Sequence, residues 1–502
     1  LRYQSYLKER YLVLGGYIGG ILFVIALTIL SPLLLIPFYP NEFQYGAAFL
    51  ITGVPLAIMG LFMRDKCRVE EEPSLAITEG MVTIVVSWLL AILVGAVPFM
   101  LINNLNFSQA IFESTSGWTT TGLSVVDVTR APRLVLFYRS AIQLVGGAGF
   151  AIIVVSSITG PVGSGLNTAE GRDDQLAPNV RRSAALVLRM YVAYVVLGTV
   201  ALYLAGRSVR MSLFDAVNHV FAAVSTGGFS TQVESIGFYD FAAVEAVIIV
   251  LMLLGGLNYL TAYVLLQRKF KAIYKNGEIQ LSAFLLSVAA LLLLFAVTIS
   301  LFSDLSKSIR VAIFEAASAI STTGFSTVAY TDWPEFGWLM LIILMLIGGG
   351  SGSTAGGIKQ FRIYVLIKAL YWEIRKAFLP EHAVNRATIW RGDQKSFLSD
   401  QQVRRIALFT FLYMVLYFMG VLIVTAYGYS IKEAMFEVAS VLSTVGLSVG
   451  ITAADAPASL LWLQSFGMLL GRLEFFALVI GSIKLVTDVY QILKPTKSQV
   501  SH

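Results

Sequence analysis

Apolar residues come in runs near twenty long, separated by short polar stretches, from one end of the chain to the other. The runs at 11–38, 44–63, 79–102, 134–158, 183–206, 241–266, 282–302, 337–378, 404–427 and 459–493 are apolar around their whole circumference. A helix without a polar stripe has no face for water, and about 20 such residues cover the hydrocarbon thickness of a bilayer. The pattern predicts ten membrane spans. The runs 337–378 and 459–493 exceed one straight crossing; the first is interrupted by glycines, and both are expected to continue past the lipid as amphipathic helix. The first run follows Arg2, Lys8 and Arg10 and is long enough to span, so it reads as a span rather than a cleaved signal.

Composition agrees. Of 502 residues 57% are hydrophobic and 13% charged, and the mean hydropathy is +0.76. A soluble domain carries about 25% charged residues, so this chain could not cover a water-exposed exterior of its size. The single Cys67 excludes an intrachain disulfide, and His219, His382 and His502 share no metal-ligand spacing. Alternate connections are basic: Arg2/Lys8/Arg10, Arg64/Lys66/Arg68, Arg172/Arg181/Arg182, Arg268/Lys269/Lys271/Lys275, the stretch 375–405, and Lys494/Lys497. The opposite set is shorter and richer in acids. The positive-inside rule then places both termini in the cytoplasm, as an even number of spans requires.

Self-similarity is the most informative signal. Four short segments between spans align as Ser/Thr, Thr, any residue, Gly, Phe/Leu, Ser, with Gly122, Gly228, Gly324 and Gly446 in register. A second glycine follows each inside the next span: Gly146-Gly147, Gly255-Gly256, Gly348-Gly349 and Gly471. The copies recur roughly every 100–120 residues, the size of a two-span unit. Each unit reads as span, apolar helix too short to cross, glycine loop, span. Irregular backbone at membrane depth is tolerated only when buried in protein or lining a watery cavity. Four such loops on one axis present rings of oxygen that replace the hydration shell of a monovalent cation. Glycine lets that backbone take positive φ. The expected ligand set is Thr120, Thr121 and Gly122; Thr226, Gly227 and Gly228; Thr322, Thr323 and Gly324; Thr444, Val445 and Gly446.

With these loops, the stretches Glu79-Gly80, Ser87-Trp88-Leu89-Leu90, Phe137-Tyr138-Arg139, Met211–Ala216 and Met468–Glu474 make the chain resemble the Trk/Ktr/HKT superfamily of potassium translocating proteins, of the TrkH type. The resemblance implies an all-α polytopic membrane protein with four pseudo-symmetric span–pore helix–span repeats around one central pore. Two extra spans at 1–70 would precede repeats at 71–160, 161–275, 276–395 and 396–502. It further implies potassium as the transported ion, no organic cofactor in this chain, a homodimer, and a cytoplasmic ring of TrkA-like nucleotide-binding subunits, in the inner membrane of a prokaryote. In the superfamily a serine in place of the first filter glycine resembles sodium-preferring members; glycine at 122 favours potassium.

Below the third filter lies Gly348-Gly349-Gly350-Ser351-Gly352-Ser353-Thr354-Ala355-Gly356-Gly357. Interior glycines cost about 1 kcal/mol each in a helix, so this segment is expected to leave helical form and act as an intramembrane gate; close packing of small residues is the alternative. A phosphate loop is excluded by the missing Gly-Lys-Ser/Thr. Arg472, deep in the last span, is expected to face the pore as a positive barrier, or else to form an ion pair. Glu113, Glu315 and Glu437, with Asp215 and His219, are expected to complement the first turns of the pore helices. Asn258 either lines the pore or bonds a neighbouring helix, and the basic 359–405 stretch either faces phospholipid or docks a regulator. A cation-coupled secondary transporter (Na+ or H+ symport with K+) is the competing reading, but it predicts two halves and a midplane carboxylate. An enzyme would need a nucleophile–base pair or metal cluster, which the spans lack.

Overall fold

The computed structural model describes residues 2–67, 76–149, 180–379, 388–391 and 394–494. A pair of long helices, α1 (Arg2–Leu30) and α2 (Phe43–Lys66), comes first. Then follow α3 (Ile77–Gly95), its continuation α4 (Val97–Asn103), the short α5 (Phe107–Trp118) and α6 (Arg133–Ala148). The next group is α7 (Val180–Ala205), α8 (Leu213–Val224), α9 (Ala242–Gly256) and α10 (Tyr259–Leu266), with α11 (Phe270–Lys275) as a connector. The third is α12 (Gly277–Leu293), α13 (Leu305–Ile320), α14 (Glu335–Ile347) and α15 (Gln360–Lys376). A small antiparallel hairpin, β1 (Thr388–Arg391) with β2 (Gln394–Phe397), interrupts the basic stretch. The last group is α16 (Asp400–Ala426), α17 (Ile431–Leu442), α18 (Ala458–Leu473) and α19 (Phe475–Leu493). The chain is a helical, multi-pass membrane protein.

Six expected spans appear as long apolar helices: Gln4–Leu35, Pro40–Lys66, Ile77–Asn103, Ala185–Val209, Gly277–Leu301 and Asp400–Ala426. The second span behaves differently in the second, third and fourth groups. α9 and α10 bend by 116° at Leu257–Asn258, where the Asn258 side chain accepts from Leu260 N at 2.8 Å and caps the second half. α14 stops at Gly348, whose φ is +71°. The run 459–493, expected as one helix continuing past the lipid, is instead two helices that pass the break at Glu474, φ +54°. α6 ends at Ala148, and the remainder of the run 134–158 lies outside the described residues. In the second, third and fourth groups, then, the first span is one long helix and the second is a broken one.

The short helices begin where local chemistry tells them to. Asn106, Ser212 and Ser430 accept from the backbone N–H three residues on, and Asp304 from Ser306 N and Lys307 N. Such caps satisfy donors that have no partner within the helix. Glu113, Glu315 and Glu437 are therefore not first-turn residues: Glu113 and Glu437 are the seventh of their helices and Glu315 the eleventh. All three are buried.

Candidate functional site

The four short helices end alike. Thr120 N donates to Gly117 O and Thr121 N to Ser116 O, at 3.1 and 2.9 Å. The same two bonds recur from Thr226 and Gly227, Thr322 and Thr323, and Thr444 and Val445. This is the Schellman arrangement, in which the residue just past the helix takes left-handed φ and is normally glycine. Here it is threonine every time, at φ +56°, +52°, +53° and +51° for Thr120, Thr226, Thr322 and Thr444. A β-branched residue in that region costs on the order of 1–3 kcal/mol, and such strain gathers at functional sites. Two residues later Gly122, Gly228, Gly324 and Gly446 have φ +97°, +73°, +84° and +98°. Alternating signs let successive carbonyls turn toward one side, unlike the two-sided pleat of a strand.

The loops close a ring. A β-carbon on Gly122 would collide with Gly227 O, one on Gly228 with Thr323 O, one on Gly324 with Val445 O, and one on Gly446 with Thr121 O. Each glycine thus abuts the carbonyl that precedes the glycine of the next loop, and the fourth returns to the first. The second-span glycines bring the wall in close: a β-carbon on Gly146, Gly255 or Gly471 would strike or crowd the last carbonyl of the short helix of its own group, Trp118 O, Val224 O or Leu442 O.

Behind the ring stand four buried side chains at equivalent places, nine residues before each glycine. Glu113 accepts from Ser124 Oγ, Val125 N (2.9 Å) and Arg139 Nε (2.8 Å). Glu315 accepts from Thr327 N at 2.8 Å and from Tyr330 OH, and Glu437 from Ser448 Oγ, Val449 N and Thr452 N. His219 holds the fourth place; its Nδ1 donates to Asp215 O at 2.8 Å and its Nε2 accepts from Ser230 Oγ at 2.9 Å. The carboxylates brace the chain returning from each loop, a role distinct from the capping expected of them. Arg139 also donates to Ser230 O at 3.2 Å and so ties the first group to the second loop.

Beneath the ring, on the side toward which the short helices' C-termini point, lies the Gly348–Lys359 loop. Gly348 and Gly349 turn the chain out of α14, and Gly350 N donates to Gly256 O at 2.8 Å. Ser351 N donates to Glu278 Oε1 at 2.6 Å and Ser353 Oγ to Gly350 O at 2.6 Å. Thr354 Oγ1 bonds Thr226 Oγ1 at 3.0 Å and Gly255 O at 2.9 Å. Gly356 N donates to Thr322 Oγ1 at 2.7 Å, and a β-carbon on Gly356 would strike Ser443 O. Gly352 and Gly357 take φ +68° and +78°, and Ala355 O accepts from Lys359 Nζ. The loop therefore touches three of the four glycine loops. The side-chain oxygens of Thr120 and Thr444 complete the same layer; both are buried without a hydrogen-bond partner.

Arg472 reaches into this layer from α18. Its guanidinium donates to Thr354 O at 2.6 Å and to Gly146 O at 2.7 Å, so one side chain bridges the loop and the wall opposite. Glu474 does not pair with it: both Glu474 oxygens accept from Arg362 at 2.7 Å, across the breaks in the third and fourth second spans. A cavity of about 30 Å³ lies between Trp88, Gly356, Lys359 and Arg472, room for about two waters. Sequence reasoning did not find Gln143, buried on α6, whose amide contacts the second loop at Gly227 O and Phe229 N.

Residues 46–490 match the family model of TrkH, described as a cation transport protein. An uncharacterized cation transporter of Methanocaldococcus jannaschii is 30% identical over 95% of this chain and 96% of its own length. The Trk system potassium uptake protein TrkG of Escherichia coli is 31% identical over 92% of this chain and 96% of its own. The crystal structure of the potassium transporter TrkH from Vibrio parahaemolyticus superposes with a TM-score of 0.80 at 27% identity, over 94% of this chain and 98% of that one.

Proposed function

This chain belongs to the TrkH family of cation transport proteins, and on that premise we propose that it passes potassium through the ring formed by its four filter loops. The observation that carries this reading is the cyclic abutment of Gly122, Gly228, Gly324 and Gly446 on the next loop's carbonyl. Strained threonines and positive-φ glycines would then hold carbonyl and hydroxyl oxygens as substitutes for water around a dehydrated ion. The unpartnered hydroxyls of Thr120 and Thr444 suit an ion arriving at the inner layer, since a buried oxygen left unmade costs about 1–3 kcal/mol. None of the four loops carries a Gly-aromatic-Gly run, which gives few oxygen layers and a K+ over Na+ preference weaker than that of a tetrameric K+ channel.

In this reading the Gly348–Lys359 loop closes the path, and the Arg472 guanidinium adds a positive charge where an ion would leave the ring. Opening requires the loop to exchange its bonds to Thr226, Thr322 and Arg472 for others. By resemblance two copies assemble on a cytoplasmic TrkA-like ring that binds nucleotide, with both termini on that side. The helix α15 follows directly from the loop, so a pull on its basic outer end would reach Thr354.

Flux into liposomes tests the filter. Wild type is expected to prefer Rb+ to Na+ with saturation, and Gly122→Ser to bring that preference toward unity. Equal selectivity in the two proteins would overturn the assignment of the ring.

A further inference from the structure

The four filter quarters are not held in the same way. Six residues before the filter glycine stand Ser116, Ala222, Ser318 and Ser440. Ser116 Oγ accepts from Gly122 N at 3.1 Å and Ser440 Oγ from Gly446 N at 3.0 Å; Ser318 Oγ donates to Phe325 O at 2.6 Å. In these quarters a hydroxyl from the loop's own short helix pins the backbone. Ala222 has none to offer.

The missing bond is supplied from the preceding group. Gln143 Nε2 donates to Gly227 O at 2.5 Å, and its Oε1 accepts from Phe229 N at 3.1 Å. The amide's orientation follows from its partners, because a backbone N–H only donates and a carbonyl only accepts. Gln143 is fully buried, one helical turn beyond Arg139, which also reaches the second loop. Three residues before the second-span glycine, where the first group has Gln143, the others carry Met252, Met345 and Met468, all fully buried. The loop residue is adapted as well. A β-carbon on Gly227 would strike the Gln143 amide, with Oε1 at 2.6 Å, whereas Thr121, Thr323 and Val445 carry side chains at that position. Gln143, Ala222 and Gly227 form one matched exception to the pattern of the other quarters.

We propose that Gln143 is a positioning residue for ion selectivity, a strut from one group that fixes the Gly227 carbonyl of the next at the spacing a potassium-sized ion requires. This rests on the reading of the four loops as the filter. A carbonyl has two lone pairs, so Gly227 O can accept from Gln143 and still ligate an ion. Without the strut no side chain holds the second loop's backbone from Gly227 to Phe229, and the ring relaxes toward smaller ions.

The test is flux in liposomes of Rb+ and Na+ for wild type, Gln143→Met, Gln143→Met/Ala222→Ser and Gly122→Ser, each checked for a monodisperse, folded state. Methionine fills the site as in the other groups but forms neither bond; serine at 222 offers the anchor used by Ser116 and Ser440. Gln143→Met is expected to lower the Rb+/Na+ preference about fivefold, the factor of losing the bond that holds the proposed ligand Gly227 O, and to raise half-saturating Rb+ by a similar factor with maximal flux within about twofold. The double variant is expected to recover most of the preference. An unchanged preference in Gln143→Met, or a loss that Ala222→Ser leaves unrepaired, overturns the strut. If Gly122→Ser also keeps wild-type preference, the filter reading fails with it; if Gly122→Ser alone loses preference, only the strut fails. Should Gln143→Met not assemble, Gln143→Leu gives the same readout, since it fills a similar volume without charge and forms neither bond.

Discussion

The filter ring and the layer beneath it are built on opposite plans. In the ring all four groups contribute the same device: a capped short helix, a threonine at left-handed φ, and a glycine against its neighbour's carbonyl. In the layer below, the third group contributes a ten-residue glycine-rich detour and the fourth contributes Arg472. A ligand shell for a spherical ion benefits from repetition, because every quarter must sit at the same distance. A barrier benefits from being single, because one loop with one latch can move without disturbing the shell. On the proposed reading selectivity and passage fall to different layers, and separate substitutions should move them separately.

The sharpest way to break that separation is Arg472→Ala. A unit charge about 5 Å from the ion path is worth on the order of 3 kcal/mol at an effective dielectric near 20. Flux is therefore expected to rise by at least ~10-fold, with the Rb+/Na+ ratio unchanged. The bond to Thr354 O is lost as well, so the loop is released along with the charge. Tracer uptake in liposomes decides it, and a change in ion preference comparable to the change in flux would show the two layers to be one. A smaller effect is expected of Thr354→Val, which keeps the side chain's shape and removes its bonds to Thr226 Oγ1 and Gly255 O. At the low end of the net range, about 0.5 kcal/mol per hydrogen bond, the two bonds sum to about 1 kcal/mol and open probability in single-channel records should rise roughly fivefold. Reduced activity in both variants would reject the loop as a barrier.

The contrast between layers also explains what could be read from the sequence. Long runs of apolar residues and the repeated Thr-x-Gly signal are local, so six spans and the four glycine loops were legible in residues alone. The breaks at Asn258 and Glu474 were not, because both sit in runs without proline and their cause is tertiary. Asn258 caps a helix that starts beside the glycine loop, and Glu474 takes a partner, Arg362, that is 112 residues away. Glu113, Glu315 and Glu437 differ from expectation for another reason: the short helices begin at Phe107, Leu305 and Ile431, six to ten residues before these carboxylates. The corrective signal was present in Asn106-x-x-Gln109 and Ser430-x-x-Glu433, which form capping boxes. Gln143 was equally available in principle, through the coincidence of Ala222 and Gly227 where other groups have a hydroxyl and a side chain.

Those caps provide the mildest probe of the ring. Ser430 Oγ accepts from Glu433 N at 3.4 Å, and Glu433 returns a bond from Ser430 N at 3.0 Å. Ser430 lies at the far end of α17 from Thr444, whereas Glu437 sits between them and holds the returning chain through Ser448, Val449 and Thr452. The loop is thus anchored from mid-helix, and the first turn matters only to how firmly the helix itself is seated. Ser430→Ala is expected to cost about 1 kcal/mol of stability, as lost N-caps do, seen as a lowered melting temperature in detergent with Rb+ flux and preference as in wild type. A selectivity change without a change in melting would mean that the ring is positioned from the helix start, and that the buried carboxylates behind it are not what holds the quarters in register.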